Sequence, residues 1–121
     1  MTKYRQIRDL TEIFRALSDP GRFRIVKMLE QKALCVCEIT AILGLAASTV
    51  SRHLSILRDA GIILDEKKGK WVNYRLNPDL DDAELRLLLP MIRGWGNEDE
   101  QVLSDTASLG SCSRDILCGL E

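Results

Sequence analysis

The residues of this 121-residue chain best equipped for chemistry are its four cysteines, Cys35, Cys37, Cys112 and Cys118. A thiolate is both a nucleophile and a soft metal ligand. The opening Met1-Thr2-Lys3-Tyr4-Arg5-Gln6 leads into a mixed segment and not an apolar run, so no secretory leader is expected. No stretch has the length of a membrane span. The expected location is the cytoplasm, where cysteines stay reduced and bind metals or sense redox state more often than they staple a fold. The plainer alternative is that each is a small buried hydrophobe. Cys35 and Cys37 stand at i and i+2, about 200° apart on an ideal helix, so one ion can join them only in an unwound first turn. The single histidine, His53, rules out a His-rich ion site. No nucleophile with a partner base, no phosphate loop and no metal-hydrolase motif is present, which argues against an enzyme or a metallochaperone.

A second group of residues suits nucleic acid. Ser48, Thr49, Ser51, Arg52 and His53 fall on the outward face expected of one helix. Short hydroxyl side chains let a backbone approach phosphates, and Arg can pair with guanine O6 and N7. Lys67, Lys68 and Lys70 cluster about a glycine, placed for phosphate or minor-groove contact. The net charge of −1 conceals the segregation that such binding needs. Residues 1–45 and 46–76 are each at +3, whereas residues 77–121 are at −7.

These groups must be held by elements, and the pattern supplies them. Ile7, Leu10, Ile13, Phe14 and Leu17 recur at helical spacing within residues 3–17. Ser18-Asp19-Pro20 signals the start of a second helix running to about Gln31. A third begins near Cys35 or Val36 and stops at Gly44; a fourth covers about Ala47 to Ala60, ended by Gly61. Ile39, Leu45, Val50 and Leu54 are expected to lock these two together. The period then changes to strand in Ile62-Ile63-Leu64 and Trp71-Val72-Asn73-Tyr74-Arg75-Leu76, joined across Glu66-Lys67-Lys68-Gly69-Lys70. Helix returns over residues 82–93, which Pro90 must kink or end. Asn97 is a candidate cap for a last helix over 98–109. The result is an α+β, mainly α, winged helix-turn-helix domain over residues 1–109 with a two-stranded β wing. A cysteine-containing tail, 110–121, follows it.

The segments Ala16-Leu17-Ser18-Asp19-Pro20-Gly21-Arg22, Ser48-Thr49-Val50-Ser51-Arg52-His53-Leu54 and Gly61-Ile62-Ile63 resemble those of the ArsR/SmtB family of metal-sensing repressors. Leu34-Cys35-Val36-Cys37-Glu38-Ile39 and Gly69-Lys70-Trp71-Val72-Asn73-Tyr74-Arg75-Leu76 point to its arsenical-resistance subgroup. The resemblance implies a homodimer joined through its first and last helices. It would bind double-stranded operator DNA and be released when arsenite or antimonite engages the thiolates, with no organic cofactor. Cadmium or lead at the same thiolates, and a thiol redox or persulfide switch, are the alternatives on this fold. Two positions depart from the family pattern. Thr40 stands where the third thiol of the motif is usual, so Cys112 or Cys118 of either subunit, or an outside hydroxide or thiol, is the candidate third ligand, and the tail pair is alternatively a separate site or without a role. Ala46 stands where a capping Ser is usual.

Overall fold

The computed structural model describes residues 5–78 and 82–110. Six helices and one small sheet alternate as α1 (Ile7–Leu17), α2 (Pro20–Gln31), β1 (Leu34–Cys35), α3 (Val36–Leu43), α4 (Ala47–Asp59), β2 (Ile63–Lys68), β3 (Trp71–Leu76), α5 (Ala83–Arg93) and α6 (Glu100–Leu109). This is the winged helix-turn-helix read from the sequence, with two additions. The sheet has three strands in the order β1-β3-β2, because Leu34 and Cys35 pair antiparallel with Tyr74 and Asn73. A two-residue strand is too short for any periodicity to announce. The wing strand β2 also extends to Lys68, through four charged residues, because a two-residue turn at Gly69-Lys70 sets Lys68 opposite Trp71. Gly69 has φ +62 and Lys70 does not have a positive φ, the combination a II′ hairpin turn requires.

The core gathers around α2. Ile25, Val26, Met28 and Leu29 are buried, together with Ile39 of α3, Val50, Leu54 and Leu57 of α4, and Leu85 and Ile92 of α5. Five consecutive buried residues, Ile25 to Leu29, show that α2 is enclosed on every side. Its charges are therefore paired. Lys27, 4% exposed, bonds Glu30 at 2.8 Å and the Ile92 carbonyl at 2.9 Å, so it closes the C-terminal end of α5. That contact, with Leu85 and Ile92 in the core, lets α5 run through Pro90 to Arg93 despite a local cost of roughly 3 kcal/mol. Asn97 does not start the last helix. Its amide bonds back to the Arg93 carbonyl at 2.9 Å, and Asp99 caps α6 through the N–H groups of Gln101 and Val102.

The two glycines expected to punctuate the reading unit do so. Gly44, at φ +70 and ψ +22, ends α3, and the chain bends by 115° into α4. Gly61, at φ +81, ends α4 in a Schellman motif, with Ile62 N–H on the Leu57 carbonyl and Gly61 N–H on that of Arg58. The lock between α3 and α4 is made by Ile39, Val50 and Leu54. Leu45 is 39% exposed and is not part of it, because the turn carries its side chain outward. α4 begins directly after Ala46, whose side chain offers no acceptor to the first turn. Ser48 does not take over the cap by a later start. Ala46→Ser is therefore expected to stabilise the fold by roughly 0.5–2 kcal/mol, read as a raised midpoint in urea or thermal unfolding.

Candidate DNA-reading face and thiol site

Helix α4 divides cleanly into two faces. Val50, Leu54 and Leu57 point into the core, while Ser48, Thr49, Ser51 and Arg52 are exposed. Arg52 makes no ion pair among the described residues, so its guanidinium is available to a ligand. Lys67, Lys68 and Lys70 are exposed along the wing, with Lys68 3.7 Å from Glu66. Arg58 joins the two parts through Asp65 of β2 at 3.1 Å, an exposed contact of small energetic weight.

His53 is turned away from that face. Its side chain is 12% exposed and reaches back to the first turn of α2. Nε2 lies 3.5 Å from Asp19 Oδ2, and Nδ1 lies 3.0 Å from an Arg22 guanidinium nitrogen. The helical period explains it: position 53 falls beside 50, 54 and 57, the inward stripe. That spacing was legible in the sequence, but the polarity of the imidazole obscured it. Asp19 is also the N-cap of α2, accepting from the Arg22 N–H at 3.1 Å. Burial alone would raise the Asp19 carboxyl. The Arg22 N–H and the charges of His53 and Arg22 outweigh that and hold it below the usual carboxylate range.

The thiol site lies at the other end of the same unit. Cys35 is a buried free thiol, in extended conformation, and forms the N-cap of α3. Its N–H donates to Glu38 Oε1 at 2.8 Å, and the Glu38 N–H faces its sulfur in return. This is a capping box in which sulfur, a weak acceptor, replaces the hydroxyl of Ser or Thr. Cys35 thus lies outside the helix and Cys37 inside its first turn, so the 200° separation of an ideal helix does not apply. Cys37 is half-buried and disulfide-bonded. Thr40 is committed elsewhere, its hydroxyl donating to the Val36 carbonyl at 2.7 Å. Among the described residues no three His, Cys, Asp or Glu side chains converge as a ligand cluster. Cys112 and Cys118 lie outside the described residues.

Sequence reasoning missed two supporting contacts, the Arg24–Asp105 pair and the Glu38 cap. Arg24 of α2 holds Asp105 of α6 through two hydrogen bonds, at 2.8 and 3.0 Å, and also reaches the Ile42 carbonyl near the end of α3. Glu38 stands within the Leu34–Ile39 motif and serves as a buried cap. An acidic residue three positions after an N-cap is the signal for the second; the first pair, 81 residues apart, leaves no local signal.

Comparison with known proteins gives consistent matches. The profile of bacterial regulatory proteins of the arsR family matches residues 19–64. The arsenical resistance operon repressor of Escherichia coli is 36% identical over 86% of this chain and 89% of its own. The arsenic resistance transcriptional regulator ArsR1 of Pseudomonas putida is 38% identical over 77% and 76%. A cadmium resistance regulatory protein CadC homolog of Staphylococcus aureus is 37% identical over 67% and 64%. Among solved structures, reduced HlyU from Vibrio cholerae superposes with a TM-score of 0.56 at 28% identity, over 69% of this chain and 88% of its own. The transcriptional repressor BigR from Xylella fastidiosa does so with 0.57 at 25%, over 72% and 85%.

The Glu38 cap yields a direct test. Glu38→Ala leaves the Cys35 N–H without its acceptor in a buried place and is expected to cost roughly 1–3 kcal/mol in urea unfolding. Glu38→Gln keeps an oxygen there and should retain most of the stability.

Proposed function

The chain belongs to the ArsR family of bacterial transcriptional regulators, and from that premise we propose a dimeric, operator-binding repressor that arsenite or antimonite releases through Cys35 and Cys37. One observation carries the reading: the Cys35 thiol caps the helix that supports the reading helix. An ion that takes this sulfur removes it from the Glu38 N–H and draws it toward Cys37. Because Cys35 also pairs with Asn73 in β3, the same movement pulls on the wing. The helix-turn-helix and the wing lose their common register, and the ion favours a state that reads DNA poorly. Linkage makes the weakening mutual, so DNA also weakens the ion. With the Cys37 disulfide reduced by the cell's thiols, two soft sulfurs suit a thiol-seeking ion. Thr40 cannot be the third thiolate, so Cys112, Cys118 or an outside thiol completes the shell.

On this reading Ser48, Thr49, Ser51 and Arg52 face the major groove, and Lys67, Lys68 and Lys70 meet phosphates. His53 supports them from behind. Dimerisation is favoured by apolar surface that a single chain leaves uncovered: Ile7 (79% exposed) and Phe14 (63%) on α1, Leu87 (69%) and Met91 (53%) on α5, and Leu103 (55%) on α6. A dimer would set its reading helices about 34 Å apart, one turn of duplex. No single described helix is long and apolar enough to cross a membrane, and a DNA-reading function belongs to the cytoplasm.

A second reading keeps the fold and changes the signal. Cys37 is disulfide-bonded while Cys35 is free, and a solved relative is known in a reduced form, which favours a thiol-disulfide switch. Cadmium at the same thiolates is the alternative inducer, a reading that the similarity to the CadC homolog supports.

The deciding experiment is anisotropy of labelled operator with reduced protein, titrated with arsenite, antimonite, cadmium and zinc. Cys35→Ser and Cys37→Ser are expected to bind operator as the wild type does, yet stay bound when arsenite is added. Full response in the double variant would move the sensor to Cys112 and Cys118. Release by oxidant, with no response to arsenite under full reduction, would establish the redox reading. Arg52→Ala is expected to lose roughly 1–3 kcal/mol of operator binding and to relax sequence discrimination. Lys68→Ala should mainly reduce the salt dependence. Unchanged discrimination in Arg52→Ala would overturn the assignment of α4 as the reading helix.

A further inference from the structure

We propose that His53 is a positioning residue that latches the reading helix to α1 and α2 only while its imidazole is neutral, so that acidification weakens operator binding without any inducer. The inference rests on the DNA-reading function proposed for α4. Its ground is the three-helix junction at the start of α2. Arg22 Nε donates to the Ala16 carbonyl at 2.8 Å, and one terminal nitrogen donates to the Arg15 carbonyl at 3.2 Å. Both carbonyls belong to the last turn of α1, which Arg22 therefore closes. The other terminal nitrogen reaches His53 Nδ1 at 3.0 Å. Guanidinium can only donate, so Nδ1 must be the acceptor and the ring proton must sit on Nε2, toward Asp19. Gly21 makes room for this approach: a Cβ there would lie 3.1 Å from both His53 Nε2 and Asp19 Oδ2.

Protonation puts a second N–H on Nδ1, pointing at a donor. The groups that face the ring are Asp19 at the head of α2, Arg22 in its first turn and Arg52 on its own helix; α1 contributes its carbonyls through Arg22. Asp19 favours the charged ring, but it stands farther off, at 3.5 Å, and its side chain is 35% exposed. Arg22 and Arg52 oppose the charge, and burial opposes it most, so the ring titrates below its ordinary value of 6.5. Its stabilising contribution is complete above that value and is lost as pH falls through the lowered one. When Arg22 is displaced, the end of α1 and the inward face of α4 lose their shared partner. The exposed apolar residues of α1 and the reading face of α4 are then no longer held in one arrangement.

Because the chain has one histidine, its ring can be followed without ambiguity. NMR of the full chain should show the Nε2–H tautomer at neutral pH and a titration midpoint below that of a free histidine. Operator affinity of the reduced protein, at constant ionic strength, should fall on the order of tenfold as pH is lowered from about 7.5 through the midpoint that NMR reads for the ring. His53→Gln presents a neutral amide at every pH. It should bind within a few-fold of wild type at neutral pH and lack the acid-dependent loss. An Nδ1–H tautomer, an ordinary midpoint, or a wild-type profile superimposable on that of His53→Gln would overturn the proposal. Wild type that shows no sequence-specific binding at neutral pH would instead overturn the DNA-reading function beneath it.

Discussion

Everything in this fold depends on a helix with no solvent side. α2 is packed against α1, α3, α4, α6 and β3 and tied to α5 through Lys27, and it still carries four charged residues. Burying charge is tolerable only where each group finds a partner. Arg22 finds the end of α1 and His53 of α4; Arg24 finds Asp105 of α6 and the end of α3; Lys27 finds Glu30 and the end of α5. Apolar contacts would let the surrounding helices slide. These directional contacts hold the ends of α1, α3 and α5 and anchor α4 and α6 along their length, and the reading helix takes its orientation from that frame.

The placement of Cys35 follows from the same economy of space. A residue that must end a strand, pair with β3 and begin a helix has little room for a large side chain. Cysteine fits, caps weakly, and leaves a thiol that a soft ion can claim. A stronger cap such as Ser would hold the helix better but would offer no soft ligand. On the proposed function, the weakness of the sulfur as an acceptor is what opens the helix start to displacement.

The elements were legible because local chemistry marks them. Asp19-Pro20 opens α2, Gly44 and Gly61 close α3 and α4, and apolar spacing sets the faces of both. What remained hidden was non-local. Arg24 and Asp105 belong to separate helices, and nothing near either residue names the other. β1 is formed only because β3 offers it an edge. His53 shows a different failure: its position was correct for the interior, but its chemistry suggested the surface. For Asn97, two capping residues two positions apart competed, and the backbone used one for each helix. Of the candidate site, the exposed hydroxyls, Arg52 and the wing lysines were legible from type and spacing. The tie behind them required the packed structure.

The wing also bears on solubility. With strand order β1-β3-β2, one side of β2 has no neighbour in the sheet among the described residues, and six residues of backbone there could pair with another chain. Such an edge invites stacking into aggregates. Asp65, Glu66, Lys67 and Lys68 occupy most of it. A second copy docking antiparallel or parallel would have to desolvate at least four charges along the new seam. These four charges thus guard the chain against its own copies, quite apart from any contact of the lysines with a polyanion.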